Sequence, residues 1–257
     1  MSGMSDWRDP VEWLPPQPVP MLGADDIHLW RGHLPVGESA HNVVLSYLSD
    51  DERARAARYR VAHDRDLYIA ARGTLRAILA QYLDDRPERL CFRYEPAGKP
   101  ALVPRPRGAS LEFNLSHSGE LSVFAVAWSR RVGVDVEKLR SDIPVEDIAG
   151  QFFSRNELAS LRSLGCDMKH EGFFRCWTRK EAYVKACGAG LQIPLRDFDV
   201  TLDPSVPARF TRGIGPSWQL LGFIAGRGYP AALVYDGEPA NVRFLCADRM
   251  LPRTGAG

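Results

Sequence analysis

The chain of 257 residues has little cysteine, almost no net charge, very little lysine and no long apolar run. Its five cysteines, Cys91, Cys166, Cys176, Cys187 and Cys246, are odd in number, scattered and without a C-x-x-C pair. Neither a disulfide framework nor a zinc site is expected from them. The net charge of +1 lacks the general basic field of a nonspecific nucleic-acid binder. No window approaches the roughly 18 uninterrupted apolar residues of a membrane span. The first ten residues carry acids and have no apolar signal core, so the sequence reads as a soluble cytoplasmic protein with no membrane partner. Hydrophobic content of 45% with 25% charged residues is ordinary for a globular fold, and the length leans toward two domains.

The lysine scarcity points somewhere. Of 33 Lys and Arg residues only five are lysine, Lys99, Lys138, Lys169, Lys180 and Lys185. A chain that uses arginine for solvated charge places lysine in or beside its candidate sites, where a compact ammonium meets a phosphate as a point charge. Two blocks stand out. In Gly133-Val134-Asp135-Val136-Glu137 a strand's period of two sends the valines to one face and both carboxylates to the other. Hard oxygen ligands of this kind suit Mg²⁺, which fills its remaining positions with water and substrate phosphates; a half-buried strand with a wet acidic face is the plain alternative. In Trp177-Thr178-Arg179-Lys180-Glu181-Ala182-Tyr183-Val184-Lys185, Glu181 and Lys185 share a helix face. A surface ion pair, or a capping box from Thr178 to Glu181, explains that block equally well by itself.

Along the chain, an extended lead-in covers Pro15–Pro20, and Ile27–Arg31 alternates as a first strand. Ser49-Asp50-Asp51-Glu52 forms a capping box opening a helix to about Tyr59. Asp64–Tyr82 is helical in its apolar spacing, with Arg72 and Arg76 on a neighbouring stripe that reads as solvated charge. Gly98-Lys99-Pro100 is a turn, Leu111–Asn114 a short strand leading to Ser116-His117-Ser118, and Leu121–Trp128 a further strand. Ser154 to Glu157 is a second capping box, a helix starting near Thr178 ends at Gly188-Ala189-Gly190, and residues 197–236 read as strands. The fold class is α+β in two similar-sized lobes: residues 1–129 with 1–25 as lead-in, residues 130–248 with the metal site, and a tail over 249–257.

Taken in order, Gly98-Lys99-Pro100, Phe113-Asn114-Leu115-Ser116-His117-Ser118, Gly133 to Glu137, Phe152-Phe153-Ser154, Trp177 to Lys185 and Gly188-Ala189-Gly190-Leu191 resemble the 4′-phosphopantetheinyl transferase superfamily, in its larger Sfp-like class. The resemblance spans roughly residues 47–202. It implies two pseudo-symmetric lobes, each a small mainly antiparallel sheet packed with helices, enclosing one site in a monomer. It also implies transfer of the phosphopantetheine arm of coenzyme A to a serine of an apo acyl or peptidyl carrier protein, with release of adenosine 3′,5′-bisphosphate. By motif position, Asp135, Glu137 and Glu181 would ligate Mg²⁺, or Mn²⁺ in its place, on the pyrophosphate, with Asp135 also counted in the coenzyme A site. Lys185 would contact phosphate and serve the leaving group, and Glu181 is a candidate general base. Lys99, Pro100, His117, Ser116 and Ser118 fall to coenzyme A, with His117 aimed at the 3′-phosphate. Arg72 resembles an arginine on the same phosphate, with Arg55 as a second candidate. The sequence departs from many relatives at Arg155, where they carry proline after the serine.

Three other readings use the same residues. A hydrolase built on Ser116 and His117 fails because neighbours on an extended segment point apart and no G-x-S-x-G elbow exists. A P-loop at Lys99 fails because proline follows it and Arg93 stands where the first glycine belongs. A metal-dependent nuclease or phosphodiesterase, and a non-catalytic coenzyme A binding module, stay open on residues alone. His28, His33, His41, His63 and His170 show no paired metal spacing and read as structural or surface residues.

Overall fold

The computed structural model describes residues 11–15, 20–34, 36–96, 98–104, 110–188 and 190–250. Most of the proline lead-in, Ala189 of the glycine turn and the end of the tail lie outside them. The first stretch runs through β1 (Asp26–His33), α1 (Glu38–Tyr47), α2 (Asp50–Ala56) and α3 (Ala62–Leu83), then a short hairpin of β2 (Phe92–Tyr94) and β3 (Pro100–Leu102), and finally β4 (Leu111–Ser118) and β5 (Leu121–Trp128). The second contains β6 (Val132–Val136), α4 (Val145–Phe152), α5 (Arg155–Ser163), α6 (Lys169–Cys187), β7 (Asp199–Val200), β8 (Phe210–Arg212), β9 (Trp218–Gly226), β10 (Tyr229–Asp236) and β11 (Asn241–Cys246). The fold is α+β, as expected. No helix among the described residues is long and apolar enough to cross a membrane.

Two sheets carry the molecule, one in the order β11-β1-β5-β4 and the other β6-β10-β9. Every pairing in them is antiparallel except β1 with β11. The alternation read from sequence explains how they stack. Ile27, Leu29, Val123 and Ala125 of the first sheet meet Val132, Val134, Val136, Leu221, Phe223 and Leu233 of the second in one shared core. The outer face of the first sheet packs Trp30, Phe124 and Val126 on Leu75, Ile78 and Leu79 of α3. Beyond the second sheet, Ala182 and Ala186 of α6 lie on Ala232 and Val234. The order of layers is therefore α3, sheet, sheet, α6. A division near residue 129 remains a proposal, in which β11 crosses back to complete the first sheet.

Both capping boxes form, at Ser49 with Glu52 and at Ser154 with Glu157. Three expectations are corrected. The helix carrying Glu181 begins at Lys169, so Thr178 is an interior residue whose hydroxyl donates to the Arg175 carbonyl (3.2 Å), and no capping box involves Glu181. The strand at Leu111 continues through Ser118. Arg72 and Arg76 are buried, at 5% and 1% exposure. Glu52 is the reason: its carboxylate binds the Nε of Arg72 and of Arg76 (2.7 Å to the latter), and Phe92 lies under both guanidinium groups at 4.2 and 4.9 Å. Burial pushes the Glu52 carboxyl up, but Arg72 and then Arg76 outweigh it and hold the group below its ordinary value.

Removing the carboxylate strands two buried cations. Glu52→Gln is expected to cost about 3–5 kcal/mol in urea unfolding; a loss below about 1 kcal/mol would show that the two arginines are satisfied without it.

Candidate functional site

The site lies where an edge strand of each sheet meets the other. β4 ends the first sheet and β6 ends the second, and they are joined by side chains spaced two apart. The Asn114 Oδ1 accepts from the Val134 N–H (2.9 Å), the Ser116 hydroxyl donates to Asp135 Oδ1 (2.8 Å), and the Ser118 hydroxyl donates to Glu137 Oε2 (2.7 Å). Ser118 Oγ also accepts from the Lys138 N–H (3.1 Å). Asp135 is 3% exposed, which rules out the wet acidic face for that residue. Its Oδ2 is buried without a hydrogen-bond partner.

Helix α6 brings the other charges. Lys185 Nζ stands 2.6 Å from Asp135 Oδ1 and 2.9 Å from Ser116 Oγ, so it reaches across to the strands. Glycine makes this approach possible: a Cβ on Gly133 would lie 2.1 Å from the Ala182 carbonyl oxygen and 2.3 Å from the Ala186 nitrogen. Strand and helix touch backbone to backbone there. Lys180 of the same block stands apart from the site. It is fully buried behind the helix, with Nζ 2.8 Å from Glu157 Oε1, 2.7 Å from the Leu195 carbonyl and 2.5 Å from the Phe198 carbonyl.

A cleft of about 590 Å³ opens between the β2–β3 hairpin and α6, lined by Gly98, Lys99, Pro100, Asn114, Leu115, Phe152, Trp177, Glu181, Val184, Lys185 and the 193–195 turn. Apart from Lys99, Glu181, Lys185 and Asn114 its walls are apolar, the usual character of a small-molecule site. Lys99 closes one side by donating to the Lys185 carbonyl (2.8 Å) and the Val132 carbonyl (3.2 Å), and burial lowers its pKa. His117 sits at the exposed end of β4; desolvation by the surrounding protein, and then the charge of Lys185, lower its pKa. Arg72 does not line the cleft, being held on Glu52 with its Nη2 3.4 Å from the Tyr94 hydroxyl, and Arg55 lies over the Tyr68 ring at 5.6 Å.

The carboxylates are the expected metal donors, and their electrostatics fit a cation. Burial raises the Glu181 pKa, and Asp135 and Glu137 raise it further against the pull of Lys185. Burial likewise raises Glu137, and the bond from Ser118 only partly offsets this and the repulsion from Asp135. Among the described residues no three His, Cys, Asp or Glu side chains are drawn tightly enough to hold a metal ion as they stand. Mg²⁺ needs few protein ligands, and a buried carboxylate oxygen without a partner beside two mutually repelled carboxylates is the donor chemistry it takes. The structure thus brings together Asp135, Glu137, Glu181, Lys185, Ser116 and Ser118, with Lys99 and Pro100 on the facing wall. Sequence reasoning missed the structural parts played by Asn114 and Gly133, although the shared two-residue spacing of 114, 116, 118 and 133, 135, 137 was the available signal.

Two family models match the chain. One, described as the 4′-phosphopantetheinyl transferase superfamily, covers residues 131–234; the other, described as the N-terminal part of 4′-phosphopantetheinyl transferases, covers residues 35–129. The chain is 40% identical over 232 residues to the 4′-phosphopantetheinyl transferase HetI of Nostoc sp., covering 90% of this chain and 97% of that protein. It is 35% identical over 159 residues to the 4′-phosphopantetheinyl transferase gsp of Aneurinibacillus migulanus, covering 61% and 63%. It is 29% identical over 170 residues to the 4′-phosphopantetheinyl transferase Sfp of Bacillus subtilis, covering 65% and 72%.

Because backbone atoms face Gly133 within contact distance, the helix has to move if a methyl group is added. Gly133→Ala is expected to lose about 1–3 kcal/mol in urea unfolding; a change below about 0.5 kcal/mol would mean that α6 is not seated on β6 as described.

Proposed function

The chain belongs to the 4′-phosphopantetheinyl transferase superfamily, and from that premise we propose that its cleft, with Mg²⁺ bound, moves the phosphopantetheine arm of coenzyme A onto a serine of an apo acyl or peptidyl carrier protein. The enzyme activity is that of a 4′-phosphopantetheinyl transferase acting on carrier proteins. The observation that carries the site assignment is the meeting of β6 and α6: Lys185, which lines the cleft with Glu181, bonds to Asp135 just behind the wall, and Asp135 and Glu137 act on Glu181 through their charge.

Asp135, Glu137 and Glu181 would hold the ion, Mg²⁺ or Mn²⁺, and a bound divalent cation supplies charge neutralisation on the pyrophosphate. The carrier serine oxygen attacks the β-phosphorus, a new P–O bond forms, and the P–O bond to adenosine 3′,5′-bisphosphate breaks. Glu181 takes the serine proton. Lys185 offsets the charge growing on the leaving phosphate and is the proton donor to it. Lys99, Pro100 and His117 are assigned to coenzyme A, with Lys99 retaining donor capacity beyond its two carbonyl bonds. Arg72 is held on Glu52 outside the cleft lining, so its assignment to the 3′-phosphate rests on the family resemblance alone. One chain supplies every group named, which supports a monomer as the working unit.

With apo carrier proteins of fatty-acid, polyketide and nonribosomal peptide type, coenzyme A and Mg²⁺, intact mass spectrometry is expected to show a carrier gaining one phosphopantetheine. No gain on any of them would sink the reading. Glu181→Gln is expected to lower kcat by at least about 100-fold, and wild-type turnover in that variant would remove Glu181 from the chemistry.

A further inference from the structure

The hydroxyls of Ser116 and Ser118 already have partners, and those partners are the metal carboxylates. Ser118 Oγ gives its only proton to Glu137 Oε2 at 2.7 Å and accepts from the Lys138 N–H. Ser116 Oγ gives its proton to Asp135 Oδ1 at 2.8 Å and accepts from Lys185 at 2.9 Å. A hydroxyl has one donor, and in this arrangement both serines commit it to a carboxylate. On the carboxylate side the result is selective. Asp135 Oδ1 is taken by Ser116 and Lys185, while Oδ2 is buried and unpartnered.

We propose that Ser116 and Ser118 are positioning residues of the cation site, orienting Asp135 and Glu137 from the neighbouring sheet. The inference rests on the carboxylate site proposed above. The physical case is that of an outer layer of hydrogen bonds around metal ligands: each ligating carboxylate is held through one oxygen so that the other is presented without a search over rotamers. What is unusual is that the outer layer belongs to a different sheet. β4 carries His117 between the two serines, so one strand serves the phosphate side with its exposed residue and the cation side with its neighbours. The alternation that sent Ser116 and Ser118 to one face and His117 to the other also divides these tasks.

The test is Mn²⁺ binding to the free enzyme with no coenzyme A or carrier present, read from the loss of the free-ion electron paramagnetic resonance signal. Ser116→Ala and Ser118→Ala are each expected to weaken Mn²⁺ about 10–100-fold, with Ser118→Thr, which restores the hydroxyl, back within a few-fold of wild type. The urea midpoint of Ser118→Ala should match wild type, separating orientation from a fold defect. If both alanine variants bind Mn²⁺ as wild type does and only the KM for coenzyme A rises, the serines are substrate ligands and the inference is wrong. If the wild-type protein binds no Mn²⁺ yet still modifies a carrier, the carboxylate site itself is misassigned and the inference falls with it.

Discussion

Asp135 is a carboxylate at 3% exposure, and the energetics of burying it organise the cleft. Taking an ionised carboxylate out of water costs several kcal/mol unless fixed partners replace the solvent. Here one oxygen is compensated twice, by the Ser116 hydroxyl and the Lys185 ammonium, and the other is not compensated at all. Those two partners come from β4 and α6, so three elements distant in sequence must touch at a single residue. The sheet stack brings β4 beside β6, and Gly133 lets α6 settle on the strand's backbone. Glu137 and Glu181 then fall on either side, close enough to repel Asp135 and each other. Burial and this crowding of like charge together oppose ionisation of Glu137 and Glu181.

The remaining charges divide into those that build and those that face the cleft. Lys180, fully buried with Glu157 and two carbonyls, ties α6 to the 195–198 turn and so holds the cleft's apolar wall. Glu52 does the corresponding work near α3 by fixing Arg72 and Arg76 against Phe92. Lys99 belongs to both groups: its bonds to the Val132 and Lys185 carbonyls tie the β2–β3 hairpin to β6 and to the end of α6, where a cation also meets the helix dipole favourably.

Local patterns in the sequence were legible because local physics produces them. The valines of β6 alternate because a strand has two faces, both S-x-x-E boxes cap helices, and Gly188 ends α6 in a left-handed conformation at φ 69°. The start of α6 was not legible: Met168 offers no side-chain cap, and Gly172 interrupts the helical composition next to Leu164, which takes the space a side chain would fill. Arg72 and Arg76 read as solvated because nothing near them in sequence announces Glu52 some twenty residues earlier as their partner. The pairing of β1 with β11 escaped for the same reason. At the site the residue types were visible, whereas the partner of each was not. Ser116 and Ser118 look like free hydroxyls beside a histidine until the second sheet is laid against them.

The central claim is that the carboxylates of β6 and α6 form one cation site facing bound coenzyme A. Calorimetric titration of coenzyme A into the enzyme, with Mg²⁺ and then with a chelator, tests it most directly. The account predicts affinity at least about tenfold higher with Mg²⁺, a coupling within the usual range for linked sites. Equal affinity under both conditions would contradict it.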